Sequence, residues 1–241
     1  MKKKISIIVL CVILVSVLAY FPLKTALGGN DAMSQWGKVL SDDSKKQTQC
    51  SKSKFRIATD GPAAQTYSSS DEVFECGKDI LITKREIEVS KAFYMINGEN
   101  EKKAEKEATK YMEEFNAMYV KAIKAGFDVT DEEVENYIND LKKIADEAEN
   151  ADDIKRVIAQ FDSEAEYWEY EKEVYQKQLP IQKYVESLEN DYVKKSGTDS
   201  NNESGTELWN KKLAKIKEKA AKEQNYKKVK SVNDIDGKFV K

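Results

Sequence analysis

The sequence predicts an all-α protein: a multi-helix body with a returning C-terminal helix, preceded by one N-terminal transmembrane or signal helix. Three observations carry this. Three prolines and ten glycines in 241 residues are few, as in helical proteins and unlike sandwiches or barrels. From Ile82 onward, apolar residues recur at three- and four-residue steps over long stretches. Two of those stretches open with the same start signal, Thr83-x-x-Glu86 and Thr130-x-x-Glu133.

The chain begins with Lys2, Lys3 and Lys4, followed by an apolar run from Ile5 to Leu23. About 20 such residues suffice to cross a bilayer, and the basic flank keeps the N-terminus inside, so the remainder is exported. The run either stays as a signal anchor or is cleaved near Val17-Leu18-Ala19. Its length favours the anchor. The expected location is the cell membrane, single-pass, with the bulk outside the cytoplasm, or secretion if cleavage occurs. Cys11 follows Leu10, where a lipoprotein site needs a small residue, and reads as an apolar thiol in the membrane run.

From Gly28 to Ser70 the periodicity is poor and Ser, Thr, Lys, Gln and Asp dominate. This reads as a polar stalk, with a short helical turn at Gln35–Leu40. Cys50 and Cys76 are the only cysteines beyond the membrane run. In an exported chain they read as a disulfide, two free thiols being the alternative.

The helical body follows. Thr83 is the N-cap of a helix to about Ile96, Glu86 completes its capping box, and Ile82 and Ile87 form the hydrophobic staple. Asn97-Gly98 stops it. A long helix runs from about Asn100 to Ala125, with Tyr111, Met112, Phe115, Met118, Tyr119, Ala122 and Ile123 along one face. Gly126 sits at the left-handed C′ position. Thr130 then caps a helix to about Glu149, with Val129 and Val134 as its staple. A short helix spans Asp152–Phe161. Ser163 caps a last long helix carrying Tyr167, Glu171, Val174, Gln178 and Ile181 on one face, and Pro180 removes one of its hydrogen bonds and predicts a kink. Residues 193–206 read as a flexible linker. The final helix, from Glu207 to about Asn225, turns Trp209, Leu213, Ile216 and Ala220 to a partner and Lys211, Lys212, Lys215, Lys219 and Lys222 to solvent. A short strand or turn is expected around Asp236-Gly237. The expected organisation is thus anchor or signal (1–27), stalk (28–76), helical domain (77–192), linker (193–206) and returning C-terminal helix with tail (207–241).

The ordered set Ile82-Thr83…Glu86-Ile87, Ala125-Gly126-Phe127-Asp128-Val129-Thr130-Asp131-Glu132-Glu133-Val134 and Phe161…Tyr167 resembles the N-terminal chaperone domain of the SurA- and PrsA-like extracytoplasmic foldases. The resemblance covers roughly residues 77–192, and Trp209…Leu213…Ile216 looks like the family's returning C-terminal helix. Such foldases usually insert a parvulin-type prolyl isomerase before that helix. Here only the linker stands in its place, so isomerase activity is not expected.

The chemistry agrees with a binding protein. Histidine is absent, which removes the commonest general base and metal ligand and any Ser-His or Cys-His pair. The net charge of −3 gives no uniform attraction to nucleic acid. The acidic clusters Asp131, Glu132, Glu133, Glu135 and Glu164, Glu166, Glu169, Glu171, Glu173 sit at helix starts, where carboxylates serve caps and the helix dipole. No catalytic residue, cofactor or metal is expected. Tyr94, Met95, Phe115, Met118, Tyr119, Tyr167, Trp168, Tyr170 and Tyr175 serve either as core or as a partly open groove for apolar segments. At least one aromatic of Tyr167-Trp168-Glu169-Tyr170 should be exposed, because neighbours on a helix point apart. The expected function is a membrane-tethered, ATP-independent chaperone for unfolded or exported polypeptides. The alternative is a non-catalytic envelope protein docking one specific partner.

Overall fold

The computed structural model of the protein describes residues 29–49, 55–56, 66–67, 73–148, 150–197, 203–230, 234–235 and 239. They are mostly helical, with helices α1 (Gly29–Gln49), α2 (Lys84–Ile96), α3 (Glu101–Lys124), α4 (Asp131–Ala145), α5 (Ala151–Ile158), α6 (Glu164–Ser196) and α7 (Glu203–Gln224). The strands are short: β1 (Phe55–Arg56), β2 (Thr66–Tyr67), β3 (Val73–Cys76), β4 (Leu81–Thr83) and β5 (Lys227–Lys228). Among the described residues no helix is long and apolar enough to cross a membrane. The apolar run Ile5–Leu23 lies outside them.

The helix punctuation forms as predicted. At α2, the Glu86 amide donates to Thr83 Oγ1 (3.1 Å) and the Thr83 amide to Glu86 Oε2 (2.8 Å). At α4, the reciprocal Thr130–Glu133 box is complete. Gly126 adopts φ +83°. There its amide bonds the Ile123 carbonyl (3.0 Å) and the Phe127 amide reaches Ala122 (3.0 Å), the Schellman pattern that satisfies the last carbonyls of α3. α6 remains continuous through Pro180.

The chain divides into two compact units, each assembled from separate stretches. The first takes residues 1–50, 88–107 and 130–176. Its first described element corrects the sequence reading: α1 occupies ground assigned to a polar stalk. Its buried face is Ala32, Met33, Trp36, Gly37, Leu40 and Ser44, which recurs at helical spacing. The face escapes a hydropathy reading because glycine and serine share it. Gly37 is there for contact: a Cβ would lie 2.7 Å from the Val157 carbonyl oxygen and 2.8 Å from Val157 Cα. α1 therefore lies close along α5. Trp36 meets the ring of Phe93 edge-on at 5.3 Å, Asp43 accepts from the Tyr170 hydroxyl at 3.1 Å, and Ser44 donates to Glu166 at 3.3 Å. Val134, Ile138 and Leu141 of α4 and Ile154 and Val157 of α5 supply the aliphatic core.

The second unit takes residues 51–87, 108–129 and 177–241. β1 pairs antiparallel with β2. A three-stranded antiparallel sheet has the order β4-β3-β5, so a strand from the tail pairs with one more than 150 residues earlier. The sequence reading missed both strands: β3 falls in the presumed stalk, and β5 is too short to show a period. Ile82, Ile87 and Met112 form a core cluster with Phe74, Tyr111, Phe115 and Tyr226 packed against it, so the predicted Ile82–Ile87 staple is part of a larger cluster. Gly77 lets Tyr226 in; a Cβ there would sit 2.6 Å from the ring.

The presumed linker 193–206 is helical at both ends, since α6 extends to Ser196 and α7 starts at Glu203. Trp209 is buried, 5.6 Å from the ring of Tyr192. α7 ends against the β3–β4 turn: Gln224 accepts from the amides of Lys78 (2.7 Å) and Asp79 (2.8 Å) and donates to the Asp79 carboxylate (3.1 Å). Ion pairs Lys121–Glu223 (2.5 Å) and Lys124–Asp79 (2.8 Å) tie the same end to α3. Asp236 and Gly237, where a strand or turn was expected, lie outside the described residues.

Candidate functional site

The nine residues read as a client groove are drawn from both compact units. Tyr94, Met95, Tyr167, Trp168, Tyr170 and Tyr175 belong to the first unit, and Phe115, Met118 and Tyr119 to the second. Six of them, Met118, Tyr119, Tyr167, Trp168, Tyr170 and Tyr175, are buried. Tyr94 and Phe115 are half-buried, and Met95 is 46% exposed.

The expectation that one aromatic of Tyr167-Trp168-Glu169-Tyr170 is exposed is overturned. All three are buried and only Glu169 faces solvent. The reason is that this turn of α6 is covered on several sides. Phe161 packs on Tyr167 (5.3 Å) and Tyr170 (5.9 Å). Lys142 of α4 lies over the Trp168 ring at 5.5 Å, and the Trp168 indole N–H donates to Glu164 at 3.0 Å. Asp43 of α1 takes the Tyr170 hydroxyl. Neighbours on the helix do point apart, but α1, α4 and Phe161 between them cover each direction.

Most of the acidic residues are likewise accounted for by local structure. Glu133 and Glu166 receive cap hydrogen bonds, Glu135 pairs with Lys172 at 2.9 Å, and Asp131 accepts from Gln176 at 3.4 Å. Among the described residues no group of three or more metal-ligating side chains is placed to hold an ion. Cys76 is a buried free thiol, its Sγ 3.6 Å from the Gly77 carbonyl oxygen. Cys50, its expected partner, lies outside the described residues.

Three buried ionisable centres were not anticipated. In the second unit, Lys177 Nζ donates to Glu86 Oε1 (2.8 Å) and Asn116 Oδ1 (2.7 Å) and lies 5.9 Å from the centre of the Tyr119 ring. Burial pushes Glu86 up, but the Lys177 charge and the Lys177 and Thr83 hydrogen bonds outweigh it and hold the carboxyl below its usual range. In the first unit, Glu171 is 2% exposed. Burial pushes it up to about 8, and a hydrogen bond with Tyr167 pulls only partly the other way. Tyr167 and Tyr175 are raised too, chiefly by burial and then by Glu171. Glu171 is therefore a neutral acid at pH 7.

The third centre is Glu75 of β3, 4% exposed and 3.3 Å from Lys228 of β5, with Glu113 of α3 pushed up to about 7 by burial and then by the Glu75 charge. A signal for the second existed in the sequence, since Glu171 falls on the apolar stripe with Tyr167, Val174 and Gln178. The first was hidden because Glu86 was already explained as a cap.

No family model, no curated protein and no solved structure matches the chain.

Proposed function

We propose that this chain is a membrane-tethered, extracytoplasmic, ATP-independent polypeptide-binding protein, built like the chaperone domain of SurA- and PrsA-like foldases without their isomerase. The observation that carries the reading is the return of the C-terminal segment. α7 and β5 close on the β3–β4 hairpin, directly before the capped helices. Between Ser196 and Glu203 there are six residues, too few for an isomerase domain. A chaperone body closed by its own two ends, with nothing inserted, would act by holding clients.

The tether sharpens this. Five residues separate Leu23 from Gly29 at the start of α1, and five residues span at most about 18 Å. An anchored chain would hold its body against the membrane, where exported polypeptides emerge. Met95 and Leu208, 46% and 48% exposed, are the exposed large apolar side chains among the described residues. That narrow apolar offering favours, as a second reading, docking of one specific partner over general gripping.

The test uses the full chain in lipid nanodiscs. Suppression of aggregation of a chemically denatured client, weakened by Met95→Asp with no loss of folding, is the expected result. No suppression together with one stoichiometric cross-linked partner supports the second reading, and neither result sinks both.

A further inference from the structure

α7 presents to solvent a face that neither the fold nor the proposed client role uses. Lys211, Lys212, Lys215, Lys219 and Lys222 are all exposed. At 3.6 residues per turn these lysines fall within an arc of about 100° around the helix. Leu208, 48% exposed, falls in the middle of the same arc. Between residues 208 and 222 the arc holds nothing else. Glu207 and Glu218 project just beyond one edge and Glu223 just beyond the other. The result is a stripe about 21 Å long that carries one sign of charge and one apolar side chain.

The opposite face of α7 holds the stripe outward. Trp209, Leu213 and Ala220 are buried. The Trp209 ring packs on Tyr192 of α6 at 5.6 Å, and Lys212 Nζ lies 4.7 Å from the centre of the same tyrosine ring. Gln224 ties the far end of the helix to the β3–β4 turn. The neighbouring acids neutralise little. Lys211 pairs with Glu207 at 2.7 Å and Lys222 with Glu218 at 2.5 Å. Both are exposed i,i+4 pairs, the kind that contributes least and that a competing anion displaces.

Exposed charge on another long helix is arranged differently. The first turns of α3 carry Glu101, Lys102, Lys103, Glu105 and Lys106 at the surface, with the two signs mixed. That is the ordinary solubilising pattern. The α7 stripe instead concentrates positive charge, which repels a second copy of itself and attracts a flat anionic surface. Leu208 distinguishes between anionic partners. A soluble polyanion offers it no apolar contact, whereas a bilayer interface does. Lysine stems can lie along that boundary while their ammonium groups stay with the phosphates.

We propose that the lysine arc of α7 is a second membrane contact, docking on anionic phospholipid headgroups with Leu208 at the acyl boundary. This rests on the membrane-tethered reading above: the anchor confines the chain to the bilayer, and the arc sets which side of the second unit meets it. Each lysine at an anionic surface strengthens such docking about fivefold, and salt screens the attraction.

The test follows acylation of individual lysines by an N-hydroxysuccinimide ester, read by mass spectrometry, on the full chain in nanodiscs. Discs of phosphatidylcholine alone are compared with discs that also contain phosphatidylglycerol. Lys215 and Lys219 should react at least about fivefold more slowly in the anionic discs, and high salt should abolish the difference. Lys155 of α5, exposed beside Asp152 and Asp153, is the reference and should not change. Lys215→Gln combined with Lys219→Gln should return Lys211 and Lys222 to their neutral-disc rates. Leu208→Ser should weaken the protection by less and leave its salt dependence in place. Equal rates in the two kinds of disc, or protection that survives high salt, overturns the docking. So does equal protection by soluble polyphosphate added to the neutral discs, which would make the arc a polyanion site. A chain that does not float with the neutral discs counts against the tether alone, and the anionic discs still read the arc. A chain that floats with both, with unchanged lysine rates, counts against the docking alone.

Discussion

Glu86 of the second unit and Glu171 of the first are both shielded from solvent, and the two are treated in opposite ways. In the second unit Glu86 receives a lysine at 2.8 Å, the Thr83 amide at 2.8 Å and the Thr83 hydroxyl at 3.0 Å. Those partners outweigh its burial and keep it ionised. In the first unit Glu171 lies among tyrosines, burial dominates, and it is raised to about 8. Burial alone thus does not set the charge state; the donors and cations within reach set it. One acid behaves as half of an ion pair, the other as a neutral hydrogen-bonding group.

The most direct way to break this contrast is Lys177→Met. It leaves Glu86 buried without its cation and should cost about 3–5 kcal/mol by denaturant unfolding at pH 7. Adding Glu86→Gln should recover much of that, because a neutral side chain no longer needs the lysine.

The next largest effect is on pH dependence, where the two acids have opposite signs. Glu171 has a folded pKa above its unfolded value, so its contribution is full below about 4.5 and falls as pH rises to about 8. The slope is at most about 1.4 kcal/mol per pH unit. Glu86 has a lowered folded value, so its contribution is present above about 4.5 and disappears as pH falls further. Glu171→Gln should flatten the decline between pH 5 and 8 in urea titrations and leave the acid limb in place. An unchanged decline in that variant would show that Glu171 is already ionised.

The smallest effects compare the two capping boxes. Thr130→Ala removes an exposed cap and should cost about 1 kcal/mol. Thr83→Ala removes a cap that also donates to the acid paired with Lys177, and should cost about 1–2 kcal/mol. Equal shifts in urea midpoint would mean that the Thr83 hydroxyl contributes nothing to holding Glu86.

The legible parts of the fold are those whose signals are local. Thr83 with Glu86, Thr130 with Glu133, Gly98 and Gly126 mark helix ends because each acts on backbone groups within one turn. They read correctly with no knowledge of tertiary packing. α1 did not read, because Gly37 and Ser44 serve close contact and polar burial instead of hydropathy. β3 and β5 did not read, because their pairing depends on a partner more than 150 residues away. The aromatic set read correctly as apolar helix faces, but the exposure expected at Tyr167-Trp168-Glu169-Tyr170 depended on what covered α6.

The sequence by itself determined where α2 to α5 start and where α2 and α3 stop, while α4 and α5 end earlier, at Ala145 and Ile158, than the expected Glu149 and Phe161; it also determined that the chemistry is poor in nucleophile–base pairs for want of histidine. Tertiary structure decided which faces are closed, which acids are charged and where the C-terminus returns. Capping works through bonds to residues three or four positions away. Burial and pKa depend on groups brought from distant segments, as Lys177 is to Glu86 and Lys228 to Glu75, and no local pattern encodes those distances.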